Sequence, residues 1–176
     1  MKRWGLSFDN LLAIRFAVNV AIATWIVWVI LHYFNDTNPI WAIASMVAAS
    51  DPQPVEARRM FKSRLINVFV GCAVGLVFLF IGGVKEWMLP LALALCVLVS
   101  SFVVRIKTMW RQAPITAAVV IATGLMYESS LVGISQGLHK VGEVIFGCVV
   151  GLLVSWGMSK IWLVQAPKEG KPSAVK

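Results

Sequence analysis

The chain has 176 residues, of which 59% are hydrophobic and only 14% charged, and its mean hydropathy is +0.81. This small number of polar residues cannot cover the surface of a soluble globule of this size. The composition therefore excludes a water-soluble protein and places the chain in a lipid bilayer. The net charge of +8 does not indicate nucleic acid, because the basic residues flank apolar runs and no nucleic-acid-binding motif accompanies them. We therefore predict an all-α integral membrane protein.

Six apolar runs follow one another along the chain, over residues 11–34, 39–50, 61–84, 87–104, 113–127 and 138–164. The first run is too long for the apolar core of a signal peptide, so it is interpreted as a retained membrane span. The second run measures about 18 Å as a helix, which is too short to cross a hydrocarbon core of about 30 Å alone. It is expected to borrow length from neighbouring backbone or to end inside the protein.

The distribution of lysine and arginine predicts the orientation of these runs, because basic residues accumulate on the cytoplasmic side. With a cytoplasmic N-terminus and six crossings, only Lys85 and Lys140 of the 16 basic residues lie outside. Treating the two short runs as re-entrant hairpins would instead place the basic cluster at 58–64 outside. We therefore predict six transmembrane helices, with both termini in the cytoplasm of a bacterial inner membrane.

Residues 64–76 and 140–152 contain the same sequence element twice, each inside a long apolar run. Three crossings per half reverse the direction of the second half, so the sequence predicts two inverted three-helix repeats. The predicted organisation is a cytoplasmic segment over 1–10, a first repeat over 11–84 and a second over 85–164. Residues 165–176 are predicted to form a disordered, basic cytoplasmic tail.

Each duplicated helix carries a stripe that runs from polar to small side chains, namely Arg64, Asn67, Gly71 and Gly75 in one and Lys140, Glu143, Gly147 and Gly151 in the other. Glycines four residues apart let another helix approach closely, which predicts a helix-packing role for them. An ionisable group at membrane depth normally faces a partner or a wet cavity. Glu143 is therefore either a proton-coupling carboxylate or the partner of Lys140 on the same face.

The most polar stretch lies between the second and third runs, over residues 50–59. Its two closely spaced prolines, Pro52 and Pro54, prevent a continuous helix and predict an extended break. Arg58, Arg59 and Arg64 follow in the first turns of the next helix, where the helix dipole opposes positive charge. These arginines either obey the positive-inside rule or collect an anion at a cytoplasmic vestibule.

Other polar residues within the apolar runs are few. Arg15 and Asn19 form a one-turn pair in the first run, where Arg15 is expected to snorkel to the cytoplasmic surface. The three cysteines lack metal-ligand spacing, and neither histidine has a nucleophile or ligand set at recognisable spacing. We therefore predict no metal, no cofactor and no enzymatic activity.

The order of residues from position 41 to position 71 resembles the signature of the fusaric acid resistance-like superfamily, which includes bacterial aromatic acid exporters and the plant aluminium-activated malate channels. In that signature a tryptophan-led short helix ends in an acidic residue or glutamine plus proline, and an arginine with spaced glycines follows. The residues in this register are Trp41, Asp51, Pro52, Arg64 and Gly71. Asn67 stands where glycine is usual, and Ala57 where threonine is usual.

The resemblance implies a six-span module that exports or conducts small organic, often aromatic, anions. The residues expected to bind the anion are Trp41, Asp51, Arg58, Arg59, Arg64 and Asn67, and Glu143 or Asp51 is the candidate for proton coupling. The alternative is a non-transporting accessory subunit of a larger efflux or envelope assembly. Because one six-span unit is small for enclosing a pathway, we predict a homo-oligomer, with the glycine stripes or the aromatic-rich first span at the contact.

Overall fold

The computed structural model describes residues 8–34, 38–83, 85–104 and 112–162. Within these ranges the chain is helical apart from short turns, which confirms the prediction of an all-α fold. The helices are α1 (Phe8–Tyr33), α2 (Ile40–Ala49), α3 (Pro54–Gly82), α4 (Met88–Leu98), α5 (Ala113–Met126) and α6 (Ser130–Ile161). Helix α4 continues as a π-helix over Val99–Val104. The predicted tail at 165–176 lies outside the described residues.

Three of the helices, α1, α3 and α6, are long and apolar enough to cross a membrane. Helices α2, α4 and α5 are apolar but shorter. With 10 residues, α2 extends about 15 Å, which agrees with the prediction that it does not cross the hydrocarbon core alone. Six crossings in two inverted repeats stay a prediction.

Two helices begin earlier than the apolar runs indicate. Helix α3 begins at Pro54, where a missing N–H and a fixed φ suit the first helical position. Helix α6 begins at Ser130 rather than near residue 138, and the Ser129 side chain caps it by accepting a hydrogen bond from the Val132 amide at 3.5 Å. An apolar run shows which residues are suited to lipid or to a protein core, and it does not show where the helical backbone begins. The part of a helix that extends into polar residues is therefore missed.

The six helices form one bundle in which the halves of the chain are interleaved. Helix α2 packs mainly along α6, and α5 packs mainly along α3. Each of the two short helices, α2 and α5, is therefore supported by a long helix from the other half of the chain. Helix α6 is central and also contacts α1, α3 and α5. One apolar cluster joins α3, α4, α5 and α6, and a second joins α1, α2 and α6.

The first glycine stripe packs against α5. A Cβ at Gly71 would collide with the carbonyl oxygen of Ala113, and a Cβ at Gly75 would lie 3.3 Å from that of Ala117. The two glycines therefore allow the backbones of α3 and α5 to touch.

The second stripe packs against α2 in the same manner. A Cβ at Gly147 would collide with the carbonyl oxygen of Ala42, and a Cβ at Gly151 would lie 2.8 Å from that of Met46. In both stripes, glycines four residues apart face carbonyls four residues apart. These faces are covered within the chain, which disfavours the glycine stripes as a contact between subunits. The other predicted contact, the aromatic-rich first span, stays a prediction.

Candidate functional site

A buried arginine lies where three helices meet. Arg64, on α3, is 6% exposed. Its Nη1 donates a hydrogen bond to Gln112 Oε1 at 3.1 Å, and its Nη2 donates to Ser45 Oγ at 3.1 Å. Both partners are neutral side chains, one from α2 and one from the residue that precedes α5.

The packing of α2, α3, α5 and α6 determines where the Arg64 side chain lies. Because α3 begins at Pro54, Arg64 falls in the third turn and points into the bundle instead of lying at the helix end. The tight approach of α3 to α5 brings Gln112 within reach. Helix α6 closes the remaining side, where Cys148 donates a weak hydrogen bond from Sγ to the Ser45 carbonyl oxygen at 3.7 Å.

Among the described residues, no carboxylate balances the charge of Arg64. Buried arginines are almost always paired, because removing a charge from water without a partner is strongly unfavourable. No carboxylate within the described ranges forms an ion pair with Arg64, and its buried Nε has no hydrogen-bond partner there. The guanidinium therefore gives the centre of the bundle a positive potential and an open donor edge.

Further polar side chains continue from Arg64 between α3 and α5. Asn67 lies one turn along α3 and is 1% exposed. On α5, Thr116 lies against Gly71, one turn beyond Asn67, and its buried Oγ1 has no hydrogen-bond partner in the described parts of the chain. The interface between α3 and α5 thus buries several polar side chains.

Other residues predicted to bind the anion are not gathered at Arg64. Asp51 is half-buried in the break before α3, where its Oδ1 accepts a hydrogen bond from the Gln53 amide at 2.7 Å. This contact gives the carboxylate a local role in shaping the turn. Trp41 is 38% exposed on α2, so its ring faces outwards.

Arg58 and Arg59 are exposed in the first turns of α3. Arg59 forms a long ion pair with Glu56, with 3.7 Å between Nη1 and Oε2. Arg58 lines a shallow cavity of about 280 Å³ together with Leu152, Leu153 and Trp156 of α6. The two arginines therefore lie on the approach to the bundle and not inside it.

Glu143 occupies a separate polar cluster on α6. Its side chain is 3% exposed, and its Oε1 accepts hydrogen bonds from Lys140 Nζ at 2.6 Å and lies 3.0 Å from His139 Nδ1. The carboxylate also lines a cavity of about 410 Å³ beside the end of α1, with Leu31 and Phe34 among its other walls. The ion pair with Lys140 is thus observed, and proton coupling stays a prediction.

The sequence did not reveal the partners of Arg64. Ser45 is a single hydroxyl in an apolar helix, Gln112 precedes α5 without any motif, and Cys148 was interpreted only as a packing residue. Only their positions in the sequence could have drawn attention to them. Ser45 is a polar residue in a short apolar helix, and Gln112 stands just before a helix that begins near a proline. Those positions do not say which helix each side chain faces.

Comparison with known proteins now adds a family to this geometry. The profile described as fusaric acid resistance protein-like matches residues 20–154. The chain belongs to the fusaric acid resistance protein-like family. The matched range includes Ser45, Arg64, Gln112 and Cys148, so the whole Arg64 site lies within the residues that match the family. No match was found among curated proteins or among solved structures.

Membership of the fusaric acid resistance protein-like family agrees with the resemblance seen in the sequence. Together with three helices able to cross a membrane, it makes the chain a multi-pass membrane protein and indicates a transporter-type role. The relation to the aluminium-activated malate channels stays a prediction, as do the inner-membrane location and the orientation of the termini.

Proposed function

We propose that the chain is an inner-membrane module that moves small organic anions out of the cytoplasm, with Arg64 as its principal anion-binding group. The observation that carries this proposal is a guanidinium buried in an apolar helix bundle and held by two neutral side chains. Such a charge is costly, and buried ionisable residues in membrane proteins normally serve a substrate or ion pathway. An anion that reaches Arg64 supplies the missing countercharge.

The arrangement suits reversible binding. Ser45 and Gln112 orient the guanidinium through Nη2 and Nη1, while Nε remains as a donor for the ligand. A fixed carboxylate in place of Gln112 would neutralise the arginine and compete with the anion. Arg58 and Arg59, exposed at the cytoplasmic approach in the predicted orientation, raise the local concentration of anions.

The proposed mechanism uses the inverted repeats. The matching contacts of the two glycine stripes support this arrangement, because each long helix holds the short helix of the other half in the same register. Arg64 and the Lys140–Glu143 cluster occupy the same place in the two repeats, one towards each side of the membrane. In this mechanism the repeats rock against each other, and Glu143 couples the movement to protons.

We propose that the module acts as a homo-oligomer whose contact is the outer face of α1. Trp25 and Trp28 are 67% and 49% exposed there, and α1 contacts only α2 and α6 to any extent within the described bundle. The accessory-subunit alternative shares this fold and differs in its prediction that the isolated protein moves no anion.

Flux measurement tests the proposal. The protein is reconstituted into vesicles loaded with benzoate as an aromatic probe or succinate as an aliphatic one, and release is followed over time. Arg64→Gln removes the buried charge, and Lys62→Gln removes an exposed charge two residues away on the same helix. Flux in the wild type and in Lys62→Gln but not in Arg64→Gln supports the proposal. No flux from well-folded wild-type protein favours the accessory subunit.

A further inference from the structure

The buried face of α1 carries two polar side chains that the Arg64 site does not use. Arg15 is 4% exposed and Asn19 is 1% exposed. They precede Ala23 and Val27 on the same face, and those two residues pack in the apolar cluster with Val150 of α6. Arg15 is therefore enclosed by the bundle, and the expectation that it snorkels to the surface is wrong.

Several polar atoms of these side chains, and one on α6, have no hydrogen-bond partner among the described residues. Buried atoms without a hydrogen-bond partner in the described parts of the chain include Arg15 Nε and Nη2, both amide atoms of Asn19, and Ser155 Oγ. Ser155 is 1% exposed. Buried polar atoms in proteins are almost always hydrogen-bonded, so a group of unpaired ones indicates a missing ligand.

The register between α1 and α6 predicts that Asn19 and Ser155 lie at the same level of the bundle. Leu31 of α1 lines a cavity with Glu143, and Ala23 and Val27 join Val150 in one cluster, so the two helices run antiparallel. Asn19 precedes Leu31 on α1 by as many residues as Ser155 follows Glu143 on α6. In an antiparallel pair this spacing puts Asn19 and Ser155 at the same level. Arg15 lies one further turn along the face of α1.

Packing does not account for these residues. The corresponding first helix of the second half, α4, buries Ala92 and Cys96 on its own contact face. Small, weakly polar side chains thus suffice to pack such a helix in this bundle. An arginine and an asparagine at the α1 face bring a larger desolvation penalty than the one buried hydroxyl that continues the α4 face, that of Ser100, and a ligand would offset it.

We infer that Arg15, Asn19 and Ser155 form a second anion-binding site, between α1 and α6, for a carboxylate or phosphate group. The Nε and Nη2 atoms lie on the same edge of the guanidinium and present a fork that matches two oxygens of either group. Asn19 Nδ2 and Ser155 Oγ add donors, and Asn19 Oδ1 accepts from a hydroxyl or ammonium group on the same ligand. This site shares only α6 with the surroundings of Arg64 and uses none of the residues that hydrogen-bond to Arg64, so it does not rest on the proposed transport function.

Two sources carry this chemistry, a soluble organic acid and the headgroup of an anionic lipid. Protein purified in neutral detergent and stripped of lipid is titrated with benzoate in one arm and with short-chain phosphatidylglycerol in the other, with phosphatidylcholine as the neutral-lipid control. The readouts are melting temperature and the mass of bound ligand under native conditions. We expect one arm to raise the melting temperature by about 5 °C at a hundredfold excess over Kd, and the arm that does so identifies the source.

Variants separate binding at this site from other effects. These variants are compared in the Arg64→Gln background, so that binding at the first site does not contribute. There Arg15→Gln is expected to abolish the shift and the bound mass, Arg15→Lys to weaken both because the fork is lost, and Lys62→Gln to retain both. Asn19→Asp places a carboxylate one turn from Arg15, so it is expected to raise the melting temperature without ligand and to remove the response to ligand.

The site would be overturned if neither probe gave a shift that depends on Arg15, or if Asn19→Asp lowered the ligand-free melting temperature and kept the full response. Because the readout is binding, it is independent of flux. Arg64→Gln is expected to leave this binding intact, so loss of transport and loss of the second site are separate results.

Discussion

At the scale of single residues, three buried charged side chains differ in the partners that they have within the described residues. Glu143 is paired with Lys140, Arg64 is held by neutral groups, and Arg15 has two unpaired nitrogen atoms. A buried charge that loses its partner is strongly destabilising, so a buried charge normally has a partner of opposite sign. Glu143 has such a partner within the chain, whereas the proposed partner of Arg64 is an anion from outside it.

Gln112→Glu tests whether Arg64 is left unbalanced for function. The new carboxylate would lie where Gln112 Oε1 now accepts from Nη1 at 3.1 Å, and it would neutralise the guanidinium. We expect the free energy of unfolding to rise by about 1–2 kcal/mol, as for a charge-assisted hydrogen bond replacing a neutral one. We expect anion flux to fall at the same time.

Thermal denaturation and vesicle flux together check this prediction. Gln136→Glu makes the same change at an exposed position on α6 and serves as the control. A Gln112→Glu protein that transports at the wild-type rate would show that the charge of Arg64 is not used for binding.

Lys140→Met tests the pair on α6. It removes the ammonium that lies 2.6 Å from a carboxylate of which only 3% is exposed. We expect a loss of about 1–3 kcal/mol in the free energy of unfolding, because Glu143 keeps its desolvation penalty without its cation. Adding Glu143→Gln is expected to restore part of the stability, and a denaturant titration of both variants measures it. Equal stability of wild type and Lys140→Met would contradict a structural role for the pair.

At the scale of helices, the glycine stripes fix how the halves of the chain interlock. Gly147→Ala places a methyl group against the backbone of Ala42, which does not move aside as a flexible side chain does. We expect the variant to lose about 1–3 kcal/mol of stability, in the range of overpacked cores.

Gly157→Ala is the matched control on the same helix, since nothing lies within 4 Å of a Cβ at that position. It is expected to be neutral or to stabilise by up to about 1 kcal/mol, because alanine favours the helix. Comparing the two melting curves measures the contact itself. Equal melting temperatures would show that α2 does not approach α6 as closely as described.

The sequence predicted these helices better than it predicted their neighbours. Apolar runs located all six helices, and the repeated motif identified Gly71 and Gly147 as packing residues. The partner of each stripe was missed, because a glycine pattern shows that something approaches closely and not which helix it is. For the same reason Arg64 was recognised as a candidate, while Ser45 and Gln112 became visible only once α2, α3 and α5 were brought together. Arg15 was misjudged because burial by α6 depends on tertiary packing.

At the scale of the whole molecule, the orientation in the membrane is open to direct test. Basic residues predict both termini in the cytoplasm and Lys85 outside. In a background without native cysteines, a cysteine at Lys85 is expected to react with a membrane-impermeant maleimide in intact cells, and one at Lys62 only after lysis. Labelling of position 62 in intact cells would reverse the orientation, and with it the proposed direction of transport.

The central claim is that the buried charge of Arg64 carries anions through the membrane. The most direct measurement compares initial rates of benzoate or succinate release from vesicles containing Arg64→Gln with those from vesicles containing Lys62→Gln. We predict that Arg64→Gln is slower by roughly tenfold or more, as expected when a buried, hydrogen-bonded charge is removed from a binding site. Equal rates in the two variants would contradict the claim and leave Arg64 as a structural residue.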